Sequence, residues 1–247
     1  MKISTISDVH IKDQTDNAAN KFFEFLDHPR VKNSDIIFLL GDIFDLMVGP
    51  FDEYIFQFEF IFQKFNQLIK EGVKIYYIAG NHDFFLEEMF IRWKKLNNIN
   101  NDQFIYLEKE FIIQNNKKKI YLSHGDDIEL DNDNYMLYKR FMNGFFMRSV
   151  IKYIFKYKIV LLIGKLASRK SRNRSQMDKS EKVKQKFRNS AERVFNQKNI
   201  DILICGHSHC IDNYKIDGKN YLNGGYFINE LSFICINDDN IVEMIKL

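Results

Sequence analysis

The chain has 247 residues, of which 45% are hydrophobic and 15% aromatic, so it can bury a sizeable core and is not intrinsically disordered as a whole. Two Pro and 11 Gly exclude collagen-like and Pro-rich architectures, and the length suits one domain, or one domain with an insertion. The net charge is +3, and three Cys without a paired framework (Cys205, Cys210 and Cys235) favour a reducing compartment.

Five short apolar runs are rich in β-branched and aromatic residues. Each is followed by Asp, Asn or His, whose side chains can bind metals or transfer protons. Such runs, bounded by Gly, predict buried strands. They are Lys2–Ser7, Asp35–Leu40, Lys74–Ala79, Lys119–Ser123 and Asp201–Cys205. Helices are predicted at Ala18–Phe25, Phe51–Lys70 and Phe84–Leu96, and short strands at Leu231–Ile236 and Ile241–Ile245. The layout is α/β first and β-rich at the end, with a helical block inserted between His124 and Asp201.

Because the N-terminus reaches polar residues by position 7, without an apolar signal core, the chain is expected to stay unexported.

The inserted block carries most of the charge asymmetry. Residues 139–198 hold 18 Lys and Arg against three acidic residues, so this quarter of the chain is strongly basic. Such a segment favours an acidic partner, namely nucleic acid, a membrane surface or a phosphorylated ligand, although a solvated basic helix face gives the same pattern. Phe141–Leu166 is apolar but interrupted by five basic residues, which excludes a transmembrane helix and favours amphipathic helices at a lipid boundary.

Five of the six histidines lie just beyond the predicted strands, and His28 is the exception. Ligands at the carboxyl ends of strands converge in α/β sheets. Imidazole, carboxylate and one Asn amide, without thiolate, suit Mn, Fe or Zn and exclude an iron–sulfur cluster. The candidate ligands are Asp8, His10, Asp42, Asn81, His124, His207 and His209. Seven ligands are too many for one ion, so two ions sharing a bridging carboxylate are predicted, with Asp42 as the bridge.

The motif series resembles the calcineurin-like metallophosphoesterases. Its five blocks occur in order: Asp8-x-His10, Gly41-Asp42-x-x-Asp45, Gly80-Asn81-His82-Asp83, His124-Gly125-Asp126 and Gly206-His207-Ser208-His209. The resemblance implies a four-layer α-β-β-α sandwich and a di-metal hydrolase. It assigns Asp8, His10, Asp42 and His209 to one metal, and Asp42, Asn81, His124 and His207 to the other. It also implies that His82 stabilises the transition state or protonates the leaving group. The predicted catalytic residues are therefore His82 and the bridging carboxylate of Asp42.

Beyond His124 the chain resembles the UDP-2,3-diacylglucosamine diphosphatases of lipid A synthesis. An acidic turn with Asp131 is followed by Tyr135 at the start of a basic helix, and a helical cap precedes the last block. The stretch Ser168-Arg169-Lys170-Ser171-Arg172 resembles a Ser/Arg segment of that cap. The resemblance implies one domain over residues 1–247, with the cap inserted at about 134–198. It implies substrate contacts from Asn81, His82, Asp131, Tyr135, Ser168, Ser171 and Arg172. Many members have Arg where this chain has His82, whereas another branch keeps His.

The leading hypothesis is metal-dependent hydrolysis of UDP-2,3-diacylglucosamine to 2,3-diacylglucosamine 1-phosphate and UMP, with Mn²⁺ as the expected ion. The diphosphate suits the metals and the basic segment, and the acyl chains suit an apolar cap. It implies peripheral association with the cytoplasmic face of the inner membrane and no nucleic-acid partner. The first alternative is a di-metal nuclease or nucleotide phosphodiesterase that holds a phosphate backbone with the basic insertion. The second is a non-catalytic scaffold, which the presence of all seven ligands disfavours.

Overall fold

A computed structural model of the chain describes residues 1–142, 144–154, 157, 159 and 181–247. The strands are β1 Ile3–Ile6, β2 Ile36–Leu40, β3 Met47–Val48, β4 Lys74–Ile78, β5 Asp83–Phe84, β6 Phe104–Leu107, β7 Phe111–Asn115, β8 Lys118–Leu122, β9 Ile202–Cys205, β10 Asp212–Ile216, β11 Lys219–Asn223, β12 Ser232–Ile236 and β13 Val242–Lys246. The helices are α1 Asn17–Asp27, α2 Pro29–Lys32, α3 Glu53–Gln57, α4 Glu59–Lys70, α5 Glu87–Leu96, α6 Asp133–Met142, α7 Phe145–Tyr153, α8 Glu181–Gln197 and α9 Phe227–Glu230.

Two mixed sheets form the centre of the molecule. The first has six strands in the order β13-β12-β1-β2-β4-β6, and the second has five in the order β10-β11-β9-β8-β7. In the first sheet, β1, β2, β4 and β6 run parallel, as do β8, β9 and β11 in the second. The carboxyl ends of the parallel strands therefore lie at one edge of each sheet, where polar loops can meet.

The sheets pack face to face through alternate side chains of their strands. Ile36, Phe38 and Leu40 of β2 belong to one buried cluster with Ile120 and Leu122 of β8. All five residues of β2 are buried, because this central strand is covered on both faces. The buried interior between the sheets is thus mainly aliphatic, with Phe38 as the buried aromatic residue of this cluster.

Helices cover both outer faces. Phe22, Phe65 and Trp93, from α1, α4 and α5, are buried in the cluster that covers the first sheet. On the second sheet, Phe187 and Phe195 of α8 are buried in one cluster with residues of β8, β9 and β11. The result is the predicted four-layer α-β-β-α sandwich.

The predicted helix over Phe51–Lys70 is divided into α3 and α4. Phe58 stands between them with φ −112° and ψ 25°, outside the helical region. Its ring packs 4.4 Å from that of Phe44, centroid to centroid, in the core. The apolar pattern therefore continues through the break, because Phe58 is buried although it leaves the helix.

The described part of the predicted cap begins with α6 and α7, which lie beside the polar loops of the first sheet. Ile151 of α7 is buried against Val48 of β3, Phe84 of β5 and the adjacent Phe85. No helix within the described residues is both long and apolar enough to cross a bilayer.

Candidate metal centre

The seven predicted ligands, here called the metal centre, follow five parallel strands: β1, β2 and β4 of the first sheet, and β8 and β9 of the second. The strands end where the ligands begin, and the chain turns sharply there. Five ligands have a left-handed backbone, with φ between 54° and 67°: Asp8, His10, Asp42, His207 and His209. Non-glycine residues adopt this conformation at a cost of about 1–3 kcal/mol each, and such strain concentrates at functional sites.

Asp8, His10 and His209 form a first group. Nε2 of His209 lies 3.2 Å from Oδ1 of Asp8 and 3.4 Å from Nε2 of His10. One ligand atom from each of the three residues lies within 4.8 Å of the others, close enough to share one ion. The ring of Tyr226 stacks on that of His209 at 5.1 Å and forms one wall of this group.

Asn81, His124 and His207 form a second group. Oδ1 of Asn81 lies 2.8 Å from Nε2 of His124 and 2.9 Å from Nδ1 of His207. These two ring nitrogens are 3.2 Å apart. One oxygen and two nitrogens, contributed by both sheets, thus surround a common point.

Asp42 lies between the two groups. Its Oδ2 is 3.8 Å from Nε2 of His10 and 3.7 Å from Nε2 of His124. Its Oδ1 accepts a hydrogen bond from the backbone N–H of His82, 2.9 Å away, which fixes the carboxylate plane. This placement suits the predicted bridging carboxylate.

The donor set of the second group fits a bound cation. Nδ1 of His124 donates to the carbonyl of Leu40 at 2.9 Å, which leaves Nε2 unprotonated and facing Asn81 Oδ1. Burial lowers the pKa of His124 to about 4, so the ring is neutral at pH 7. Two acceptor atoms at this separation, with no proton between them, are stabilised when a cation lies beside both.

Buried negative charge also favours a cation here. Burial and the neighbouring carboxylates of Asp83 and Asp8 raise the pKa of Asp42 well above its ordinary value. Burial opposes the ionisation of Asp8 too, but the hydrogen bond and charge of His209 hold its pKa below the ordinary value. A divalent ion would remove the repulsion among these buried carboxylates and favour their ionised forms.

Two glycines let the backbone approach the carboxylates. A Cβ on Gly80 would lie 2.1 Å from Oδ1 of Asp42, and one on Gly206 would lie 2.2 Å from Oδ2 of Asp8. The positions of both carboxylates therefore depend on the absence of a side chain at these residues.

We expect Gly80→Ala to displace Asp42 and to weaken metal binding about tenfold or more, since overpacking costs about 1–3 kcal/mol. The backbone of Gly80 is not left-handed, so the effect is steric. Metal content after dialysis, measured by mass spectrometry, checks the result. Gly224→Ala is the matched control, because its Cβ would meet nothing closer than the Ser232 carbonyl at 3.9 Å. Full metal content in Gly80→Ala would contradict the steric account.

His82 lies beside the metal centre and belongs to neither of the two ligand groups. Its Nδ1 lies within hydrogen-bond distance of the backbone carbonyl of Asp45, and its Nε2 is 3.9 Å from Oδ2 of Asp42. The side chain is buried, and its ring meets that of His10 edge-on, with 5.0 Å between centroids. Nε2 of His82 therefore faces the Asp42 carboxylate.

Of the substrate contacts predicted beyond His124, one lies beside the metal centre, one is exposed to solvent, and three lie outside the described residues. Tyr135 lies beside the centre: its hydroxyl donates to Asp126 at 2.9 Å, and its ring lies 6.4 Å from that of His207. Asp131 is exposed on the preceding loop, with φ 56°. The other predicted contacts, Ser168, Ser171 and Arg172, lie outside the described residues.

Three supporting carboxylates have no assigned role in the sequence analysis. Asp83 accepts from the N–H groups of Asp42 and Gly80, both at 2.9 Å, and holds the two loops together. Asp126 accepts from Lys139 at 2.6 Å, and although burial opposes its ionisation, Lys139 and nearby histidines lower its pKa to about 2. Glu129 contacts His207. Asp83 and Asp126 belong to two of the five motif blocks, so their importance could have been predicted from sequence. Glu129 lies outside these blocks and could not.

Comparison with known proteins gives a consistent result. A family model of the calcineurin-like phosphoesterases matches residues 1–211. The UDP-2,3-diacylglucosamine hydrolase of Proteus mirabilis is 26% identical over 96% of this chain and 95% of its own length. The protein of the same name from Wigglesworthia glossinidia brevipalpis is 26% identical over 87% of this chain and 82% of its own. The structure of an archaeal phosphodiesterase covers the whole of both chains with a TM-score of 0.53 at 14% identity, which shows a shared fold. The resemblance inferred from the motifs is confirmed.

Proposed function

Because the chain belongs to the calcineurin-like phosphoesterase family, we propose that it hydrolyses the diphosphate of UDP-2,3-diacylglucosamine to 2,3-diacylglucosamine 1-phosphate and UMP. It is a hydrolase of phosphoester or diphosphate bonds, and relatives named for this substrate align along nearly its full length. The observation that carries the proposal is the position of the metal centre beside helices with a large exposed apolar face. An ionic head and two acyl chains need both features in one place.

The proposed cofactors are two divalent ions, with Mn²⁺ as the expected metal and Fe or Zn as alternatives. Asp8, His10 and His209 would hold one ion. Asn81, His124 and His207 would hold the other, and Asp42 would contact both. When bound, such ions neutralise diphosphate charge and lower the pKa of water to near neutrality.

Protein groups around the ions would position the diphosphate and handle the leaving group. The carbonyl of Asp45 fixes the ring of His82 through Nδ1, so Nε2 is free to exchange a proton with the substrate. In its protonated form, Nε2–H would donate to the oxygen that leaves with one phosphorus. The hydroxyl of Tyr135 and the ammonium of Lys139, both on Asp126, line the side of the centre next to the cap.

We propose that the insertion at about 134–198 is a cap that receives the acyl chains and contacts the membrane surface. Large apolar side chains of its first two helices are more than half exposed. They are Leu137, Tyr138, Phe141, Phe145, Phe146 and Tyr153, together with Ile154 directly after α7. Basic residues alternate with them along the same helices. Because Lys139, Arg148 and Lys152 are paired with carboxylates, the proposed membrane contact rests on the apolar side chains. The proposed location is the cytoplasmic face of the inner membrane.

Nucleic-acid binding is the weaker alternative, because many basic residues of the segment are already paired. Six of them, among those described, contact carboxylates: Lys139, Arg148, Lys152, Lys186, Arg188 and Lys198. Paired cations have less charge to offer a phosphate backbone. The large exposed side chains of α6 and α7 are instead mainly aromatic and aliphatic.

The cap proposal predicts that the double variant Phe145→Ser/Phe146→Ser has a KM for vesicle-borne substrate raised about tenfold or more. Burying one Phe is worth about 1.5–3 kcal/mol, and these two are 86% and 71% exposed. Turnover of a small chromogenic phosphodiester should not change, since it needs the metal centre alone. The control is Ile91→Ser/Leu96→Ser on α5, which removes comparable exposed apolar surface elsewhere. Equal KM values for both double variants would contradict the cap assignment.

The substrate assignment is tested by kcat/KM on UDP-2,3-diacylglucosamine, on the non-acylated nucleotide sugar and on oligonucleotides, each with added Mn²⁺. The proposal expects a strong preference for the diacylated compound that declines as the acyl chains shorten, because each buried methylene contributes about 0.8 kcal/mol. Equal turnover of acylated and non-acylated sugars would remove the lipid assignment. Preferred cleavage of oligonucleotides would establish the nuclease alternative.

A further inference from the structure

Glu129 connects the metal centre to the last helix of the insertion. It lies in the loop between β8 and α6, five residues after His124. Its Oε2 lies 3.2 Å from Nε2 of His207, and its Oε1 accepts from Nζ of Lys186 on α8 at 2.8 Å. About four-fifths of each of the Glu129 and His207 side chains is shielded from solvent, so their contact is partly protected from water.

The two ring nitrogens of His207 have different surroundings. Nδ1 faces the centre, 2.9 Å from Asn81 Oδ1, whereas Nε2 faces Glu129. A neutral imidazole carries one proton. With a cation beside Nδ1, which also faces Asn81 Oδ1 and His124 Nε2, that proton would lie on Nε2, where Glu129 accepts it. Nδ1 is then left with the lone pair that a metal requires.

The backbone of His207 is fixed independently of Glu129. Its N–H donates to the Asp8 carboxylate at 3.0 Å, and its φ of 67° fixes the turn. Neither contact sets the rotation of the ring or the choice of the protonated nitrogen. Within the described residues, the hydrogen-bond partner of Nε2 is Glu129.

We infer that Glu129 is a positioning residue for His207, held in place by Lys186. It orients the ring, keeps the proton on Nε2 and strengthens Nδ1 as a ligand. The inference rests on the proposed function, because it takes His207 as a metal ligand. Outer carboxylates of this kind contribute roughly 10–100-fold to metal affinity in proteins.

The chain contains a matched control for the ion pair. Glu110 accepts from Lys198 at 2.8 Å, the same distance as Glu129 from Lys186, and Lys198 follows α8 directly. Glu110 contacts no histidine among the described residues. Glu110→Ala therefore removes an equivalent carboxylate from the same helix region without touching the metal centre.

The test titrates the metal-free full chain with Mn²⁺ and follows the free ion by electron paramagnetic resonance. Wild type and Glu110→Ala are expected to bind two ions alike. Glu129→Ala should weaken one of the two sites about 10–100-fold and leave the other unchanged. Glu129→Gln should restore most of the affinity, because its amide oxygen accepts the same hydrogen bond. Thermal unfolding of each metal-free variant confirms that the chain is folded.

Wild-type affinity at both sites in folded Glu129→Ala would overturn the inference and leave the metal centre intact. Equal loss in Glu129→Gln and Glu129→Ala would also overturn it, since the hydrogen bond would then not be the cause. Equal loss of Mn²⁺ affinity in Glu110→Ala and Glu129→Ala would also overturn it, because the effect of Glu129 would then come only from its ion pair with α8. A wild-type chain that binds fewer than two ions would overturn the proposed metal centre, and this inference with it.

Discussion

Asp42→Ala is expected to lose both metal ions and to lower turnover by more than about 10³-fold. The reason is its central position: Oδ2 lies within 3.8 Å of a histidine nitrogen from each ligand group. Without this carboxylate, two like-charged ions would sit close together with no shared anion to shield them. Loss of one electrostatic group in an active site costs about 10²–10³-fold, and Asp42 is proposed to contact both ions.

The fold should survive this substitution. Asp42 is buried together with Asp8 and Asp83, so the metal-free chain loses electrostatic repulsion when the carboxylate is removed. The thermal midpoint of the metal-free variant is therefore expected to equal or exceed that of metal-free wild type. Asp42→Asn is the matched variant, since it keeps the acceptor for the His82 N–H but removes the charge. Two ions bound to Asp42→Ala at wild-type affinity would contradict the bridging role.

His82→Ala is expected to reduce kcat by about 10²–10³-fold while both ions stay bound. The ring is held through Nδ1 by the Asp45 carbonyl, so its Nε2 is available for the substrate. Removing the ring takes away a proton donor without taking a ligand from either group. Metal content and kcat, measured on the same preparation, check both parts of the expectation.

The control for this variant is His28→Ala. His28 is the histidine away from the centre, where its Nδ1 accepts from the N–H of Arg30 at the start of α2. This substitution should leave kcat and metal content unchanged. The alternative for His82 is ligation, because ligand atoms of His10, Asp45 and His82 also lie within 4.8 Å of one another. Loss of one ion from His82→Ala would establish that alternative and would require Asn81 to be reassigned.

The strand ends could be predicted from sequence because two signals coincide there. An apolar run such as that ending at Leu40 predicts a buried strand, and the polar residue that follows predicts a site at its carboxyl end. Parallel pairing of β1 and β2 brings Asp8 and Asp42 together, and the packing of the second sheet against the first adds His124 from the end of β8. All seven predicted ligands meet in the structure for this reason, although their roles remain predictions.

Other features lack a local signal. β6 and β7 are half-exposed edge strands among Asn- and Lys-rich segments, so their apolar pattern is weak. The break at Phe58 follows from packing against Phe44, which is distant in sequence. The contact of Glu129 with His207 joins residues 78 apart and depends on the turn geometry of both loops. Such contacts require the three-dimensional arrangement of the loops.

Phosphorus NMR of the reaction of the Mn²⁺-loaded chain with UDP-2,3-diacylglucosamine tests the proposed hydrolysis most directly. We expect the two diphosphate signals to disappear together, and UMP and 2,3-diacylglucosamine 1-phosphate to appear in equal amounts. We also expect that neither product forms after chelation, and that both form again when Mn²⁺ is restored. Release of UDP with the free sugar, or an unchanged diphosphate under conditions where a small phosphodiester is cleaved, would contradict the proposed reaction.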